Sequence, residues 1–157
     1  MSLPVKVTLE HFQRAHVREM QVGVQAQAET VNVPNLDHAF TIFERGGPAF
    51  TGRIDGRIIG CGGLVLFAWP GVAEAWVMAS EHAPEYALSW HKTFQFLLQR
   101  MIGEYGLYRI QAEVQADFTR GRRWIEALGF QSEGEMPRFG PNRETFVRYA
   151  YLPQETV

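Results

Sequence analysis

The sequence is short of the features that mark several large protein classes. It has one cysteine, Cys61, so no internal disulfide can form, and a thiol-reduced, cytoplasmic setting is expected. Its opening residues, Met1-Ser2-Leu3-Pro4, lack the charged-then-apolar pattern of an export signal, which supports the same expectation. No apolar run approaches the ~20 residues a membrane span needs, so no membrane partner is expected. Basic residues are not in excess: 15 Lys and Arg face 17 Asp and Glu, for a net charge of -2. A general nucleic-acid binder should be strongly basic, so no nucleic-acid partner is expected. The five histidines show no metal-like pairing. His11 and His16 do not share a helix face well, and a zinc site is rejected. With no repeat, linker or low-complexity stretch, residues 1–157 are expected to form a single domain.

What remains is ordinary globular composition, 46% hydrophobic and 20% charged, with legible periodicity. Val5 to Thr8 reads as a short opening strand. From Leu9 the positions Leu9, Phe12, His16, Val17 and Met20 step at helical spacing. Val31–Asn35 breaks that helix, and Asn35 can cap a second one with an inward stripe of Leu36, Phe40 and Phe43. Gly46-Gly47-Pro48 ends it. Ala49–Ile54 and Arg57–Phe67 flank Asp55-Gly56, a two-residue hairpin signal. The second arm is apolar almost throughout and predicts a central strand. After the Trp69-Pro70-Gly71 turn, Val72–Ala79 reads as a strand, and Pro84 opens a helix to about Tyr105. Its predicted core stripe is Phe94, Leu97, Leu98, Met101, Ile102 and Tyr105, and Gly106 stops it. Tyr108, Ile110, Ala112 and Val114 alternate with Arg109, Gln111 and Glu113 as in a half-buried strand. Asp117 is the predicted cap of a last helix ending at Leu128-Gly129. Two strands follow, near Phe130–Arg138 and Glu144–Leu152. The order β-α-α-β-β-β-α-β-α-β-β predicts one α/β unit built on a mixed sheet.

The stretch from Asp117 through Arg120-Gly121-Arg122-Arg123-Trp124-Ile125 to Leu128-Gly129-Phe130 resembles the last helix of the Gcn5-related N-acetyltransferases (GNAT). Ser132–Met136, Phe139-Gly140-Pro141 and Arg148-Tyr149-Ala150 are similar to the ending of its ribosomal-protein and small-molecule branches. Acetyltransferase-like proteins of bacteriophages share this look. The resemblance implies a GNAT-like acyl-CoA N-acyltransferase fold, acetyl-CoA as cosubstrate, an unidentified amine acceptor and a candidate homodimer. In the family the fourth and fifth strands splay, freeing edge amides for pantetheine. The phosphates sit at the start of the following helix. Carried onto this chain, Val77, Met78 and Ala79 would hold pantetheine. Trp90, His91 and Lys92 would meet the phosphates, and Asp117 and Trp124 would lie along the cofactor.

Two departures stand out. Pro84-Glu85-Tyr86 looks like the family's lead-in to the phosphate loop, yet Ala87 stands for its arginine or glutamine, and Trp90 and Lys92 stand for its two glycines. The family's proton-donating tyrosine falls on Ile125, which leaves a water or Tyr86. For the base, Glu74 on the fourth strand is the first candidate and Glu113 the second, with His82 behind them. Gly60, Gly62 and Gly63 lie inside a strand and read as close backbone packing rather than a phosphate loop. Cys61 reads as a buried hydrophobe. Arg120, Arg122 and Arg123 read as a solvated helix face or a contact for the 3'-phosphate. The two functions in play are an amine N-acetyltransferase working by direct attack and a GNAT-shaped binding or assembly module without catalysis.

Overall fold

The computed structural model describes residues 6–21 and 36–155. Among these, seven strands form one sheet in the order β1-β2-β3-β4-β5-β7-β6. The strands are β1 (Thr8–His11), β2 (Ala49–Ile54), β3 (Arg57–Leu66), β4 (Val72–Ala79), β5 (Arg109–Gln115), β6 (Gln131–Met136) and β7 (Phe146–Tyr151). The helices are α1 (Arg14–Gln21), α2 (Leu36–Arg45), α3 (Ala87–Tyr105) and α4 (Thr119–Ala127), with a 3-10 turn at Ala83–Tyr86 leading into α3. This is the element order expected from the sequence. The residues gather into two compact units. One runs up to Val65 and resumes over Trp76–Leu98; the other holds Leu66–Ala75 and everything from Gln99 onward.

In the first unit β2 and β3 form the expected hairpin. Asp55 and Gly56 both take positive φ, 51° and 80°, the geometry of a type I′ turn. A register shift between Gly52 and Arg53 marks a bulge. The opening of the chain differs from expectation. Leu9 is in β1, which pairs antiparallel with β2 from Thr8↔Arg53 to His11↔Phe50, and the helix starts only at Arg14. Free β2 edge groups take a strand in preference to a longer helix. His16, at the third position of α1, accepts the Gln13 amide on Nδ1 at 3.1 Å, doing the work of the acidic residue in a capping box. Phe12, Val17, Met20, Phe40 and Trp76 are buried in one cluster, with Phe43 stacked on Trp76 at 4.4 Å. The predicted Asn35 cap lies outside the described residues.

The glycines of β3 explain the next layer. A Cβ on Gly60 would stand 2.5 Å from the Trp90 ring, and one on Gly62 would stand 2.5 Å from Phe94. The strand is bare where α3 lays two aromatic rings, which meet edge to face at 4.8 Å. Close packing is therefore the role of these glycines. Cys61 between them is buried, and burial pushes its thiol up to about 12, so it is an inert hydrophobe.

In the second unit β5 pairs antiparallel with β7 over six residues, and β7 with β6. Ile110, Val147 and Tyr149 are fully buried there. Tyr149 keeps its hydroxyl satisfied, accepting from Arg122 Nε at 3.0 Å and donating to Glu126 at 3.1 Å. The β5 alternation is more buried than the sequence suggests: Gln111, on the polar register, is only 7% exposed, whereas Tyr108 is 57% exposed. Tyr105, expected in the core stripe of α3, is 40% exposed. Asp117 does not cap α4. The cap position belongs to Phe118, which makes no side-chain cap bond, and the Asp117 carbonyl accepts the Thr119 amide.

Candidate active site

β4 and β5 run parallel, as expected, and their ladder is short: Val72↔Arg109, Ala73↔Ile110 and Glu74↔Gln111. β4 continues to Ala79, so Val77, Met78 and Ala79 lie past the last residue in register with β5. Opposite residues of a parallel pair share a face, and residues two apart on a strand do too. Glu74, Gln111 and Glu113 therefore line one face, and the two glutamates become neighbours. The Glu113 side chain, one step along the strand from the residue opposite Glu74 on that face, is 10% exposed.

This pairing sets the electrostatics. Burial, then the hydrogen bond to Glu74, then the Glu74 charge push the Glu113 carboxyl up to about 8, against the pull of Arg148. At neutral pH the Glu113 carboxyl therefore keeps its proton. Two carboxyls in contact share one proton because both cannot ionise cheaply. Arg148 faces Glu113 directly in the β5–β7 register, with its Nη2 3.6 Å from Oε1. That gap is too long for a hydrogen bond. Both Glu113 Oε1 and Arg148 Nε are buried with no hydrogen-bond partner. The rest of this face is satisfied: Arg109 donates to Gln111 and closes a two-pronged pair on Glu133.

The other candidates are scattered along both units. The Trp90 ring does not serve a phosphate: it is 7% exposed and packed on Gly52 and Gly60. An α-helix starting at Ala87 leaves only its first four amides without an intrahelical carbonyl. The amides of His91 and Lys92 thus belong to the helix ladder, and only their side chains, half-buried and exposed, can meet an anion. Asp117 is exposed and Trp124 half-buried. Ile125 is buried and offers no proton. Arg122 is committed to Tyr149 and to the Ala116 carbonyl, leaving Arg120 and Arg123 as the exposed pair. Tyr86 is half-buried at the end of the 3-10 turn. His82 sits between Glu81 and Glu85, at 3.6 and 3.9 Å. Among the described residues no three His, Cys, Asp or Glu side chains gather to hold a metal.

The backbone of Val77–Ala79 continues β4 past the last residue in register with β5. The start of α3 does not fit an amide cradle for phosphates, since an aromatic ring is anchored where glycine would be. The contact sequence reasoning missed is Arg148, placed by antiparallel register. Its only signal was its place on a strand whose neighbour carries Glu113.

No family model matches the sequence, and no curated protein matches it either. Solved structures do. A GNAT-family acetyltransferase from Bacillus anthracis matches with a TM-score of 0.69 at 16% identity, over 93% of this chain and 94% of that one. A mutant form of a spermidine N-acetyltransferase from Vibrio cholerae gives 0.69 at 14% identity, over 92% and 94%. An IAA acetyltransferase from Bacillus cereus gives 0.69 at 12% identity, over 94% and 100%. The chain therefore has the GNAT acyl-CoA N-acyltransferase fold.

Proposed function

We propose that the protein is an acetyl-CoA-dependent N-acetyltransferase that acts on a primary amine by direct attack. The observation that carries this reading is the Glu74–Glu113 pair at the end of the short β4–β5 ladder. An amine attacks only when neutral, so a group must take its proton. Glu113, which keeps its proton at neutral pH, neighbours the Glu74 carboxyl, and a positioned carboxyl of this kind can take that proton. Glu74 first takes the ammonium proton; the neutral nitrogen then bonds to the thioester carbonyl carbon and the carbon–sulfur bond breaks. With no donor at Ile125, the nitrogen's second proton reaches the leaving thiolate through water. Backbone groups of Val77–Ala79 would pair with the pantetheine arm and polarise the carbonyl. The His91 and Lys92 side chains, together with Asp117 and Trp124, would meet the rest of the cofactor.

The solved structures that share the fold are acetyltransferases for several different acceptors, which supports the reaction class and leaves the acceptor open. The buried Trp90 and the missing cradle favour the second reading, a GNAT-shaped module without catalysis. Calorimetric titration with acetyl-CoA separates the two. Saturable binding, followed by amide formation with at least one member of an amine panel, is the expected result. Absence of binding would leave the non-catalytic module.

A further inference from the structure

The large apolar side chains that face solvent are not spread evenly. Leu66, Phe67, Trp69, Tyr105 and Tyr108 gather in the second unit, around the end of β3, the turn into β4 and the end of α3. Leu66, Phe67, Trp69, Pro70, Tyr105 and Leu107 line a groove there of about 280 Å³. Tyr108 adjoins it, with its ring laid on Gly71 so closely that a Cβ at that position would collide. The surface is held in place. Gly71 takes a φ of 101°, which glycine accepts readily, and its carbonyl accepts the Tyr108 amide at 2.8 Å. The Phe67 amide closes the turn on the Val72 carbonyl at 3.0 Å, and the Phe67 and Trp69 rings brace each other at 5.2 Å. The groove carries no charge: no acidic or basic side chain lines it. The charged side chains next to it in sequence are already paired, Glu104 with Arg100 and Arg109 with Glu133.

We propose that a second copy of the chain docks on this patch, patch against patch about a two-fold axis. The area supports a copy as the occupant. Phe67, Trp69, Tyr105 and Tyr108 are between 37% and 57% exposed. At ~200 Å² for an aromatic side chain, these four rings offer about 400 Å², to which the exposed Leu66 and Pro70 add. A standard interface takes about 800 Å² from each partner, and in homodimers about 65% of it is apolar. The patch is therefore the size of one homodimer core, and a polar rim around it completes the area. The chemistry supports a copy too. A non-obligate interface is only about as apolar as the rest of a protein's surface, whereas this groove is uncharged throughout. An uncharged aromatic surface is matched by another of its kind, and docking patch on patch supplies it. A small molecule is a poorer match, because its sites run to about 300–1,000 Å³ and hold polar groups that orient the ligand. The braced turn lowers the ordering cost of docking, and a two-fold contact closes at two copies. The dimer does not rest on the acetyltransferase reading, since Glu74 and Glu113 lie farther along β4 and β5 than Val72 and Tyr108 and are not part of the patch.

Sedimentation equilibrium of the full chain, from about 1 μM to about 100 μM, tests this. The expected species has twice the 17.9 kDa of one chain. Trp69→Ser removes a central ring from both copies and should weaken the dimer by at least about 30-fold, with Tyr108→Ser acting in the same direction. Both residues are more than half exposed, so far-UV circular dichroism of each variant should match the wild type. Should either fail to fold, Ala68→Cys carries the test, because Ala68 is exposed and lines the groove. A short bismaleimide should join two copies of that variant and leave the wild type unlinked, since Cys61 is buried. A wild-type chain that stays monomeric overturns the proposal. A monomer whose binding of the apolar dye ANS is lost in Trp69→Ser would assign the patch to an occupant other than a copy. A dimer untouched by both serine variants, with Ala68→Cys left unlinked, places the interface elsewhere and overturns the proposal as well. Acetyl-CoA titration of the same samples reads the proposed function separately: its failure beside an intact dimer bears on the transferase reading alone.

Discussion

Replacing Glu113 by glutamine should make the protein more stable at alkaline pH, and the size of the effect follows from the buried pair. The carboxyl is raised from the usual 4.5 to about 8, and each tenfold change in acidity is worth about 1.4 kcal/mol. Ionising Glu113 in the folded chain therefore costs about 5 kcal/mol more than in the unfolded chain. Because the folded value lies above the unfolded one, the unfolded chain gives up its proton first as pH rises. Stability is thus full below 4.5, declines through the interval up to about 8 and is level beyond it. Between pH 5.5 and 8.5 the loss amounts to about 3 kcal/mol, a large part of the 5–15 kcal/mol by which domains are stable. Glutamine donates an N–H to Glu74 at every pH and carries no charge, so Glu113→Gln should lack this slope. Urea unfolding at pH 5.5, 7 and 8.5 measures it. Every titrating group apart from the coupled Glu74 behaves alike in both proteins, so subtracting one profile from the other isolates the carboxyl pair. Parallel profiles would mean that Glu113 ionises normally and that the shared proton does not exist.

Three further outcomes are expected. Glu74→Gln should lower kcat by about 10²–10⁴ at neutral pH with acetyl-CoA affinity nearly intact, read from steady-state kinetics beside calorimetry; an equal loss of cofactor binding would make Glu74 structural. Lys92→Glu should remove the rise in melting temperature that acetyl-CoA produces, because it sets a negative charge against the phosphates; an unchanged shift would put the phosphates elsewhere. Gly60→Ala should cost about 1–3 kcal/mol in urea unfolding, since its Cβ would meet both the Trp90 ring and, at 2.8 Å, the Met78 carbonyl oxygen. A neutral result would show that Trp90 can move aside.

The elements were legible because their punctuation is strong. Asp55-Gly56, Gly46-Gly47-Pro48 and Gly106 each end a segment where the structure ends it. The failures have a common cause, which is that partners distant in sequence decide local structure. Leu9 follows helical spacing, yet the open edge of β2 draws it into a strand. Asp117 has good capping chemistry, but α4 starts one residue past the cap it would need. Glu74 was readable as a carboxylate on the fourth strand. Its partnership with Glu113 depends on a parallel register, and the gap at Arg148 depends on an antiparallel one. Neither register is written in local pattern, because any shift by two residues preserves the same alternation.

The departures at the start of α3 and the surplus of glycine in β3 are two sides of one packing solution. A phosphate loop needs small residues at the helix start so that backbone can reach an anion. Here the helix carries Trp90 at that place, and four residues on, Phe94. Space for those rings comes from the strand, which has no side chain at Gly60 and Gly62. In this exchange the strand is bare at Gly60 and Gly62 where the helix supplies the Trp90 and Phe94 rings, as close-packed interiors require. The exchange explains why substituting either side alone should fail. Glycine at position 90 would empty a slot the size of an indole, at a cost of about 3–5 kcal/mol. A side chain at Gly60 would drive into the same ring. It also bears on binding, since an anchored indole fixes the first turns of α3 without help from a ligand. Any phosphate contact here falls to the charged side chains that point away from the sheet, above all Lys92.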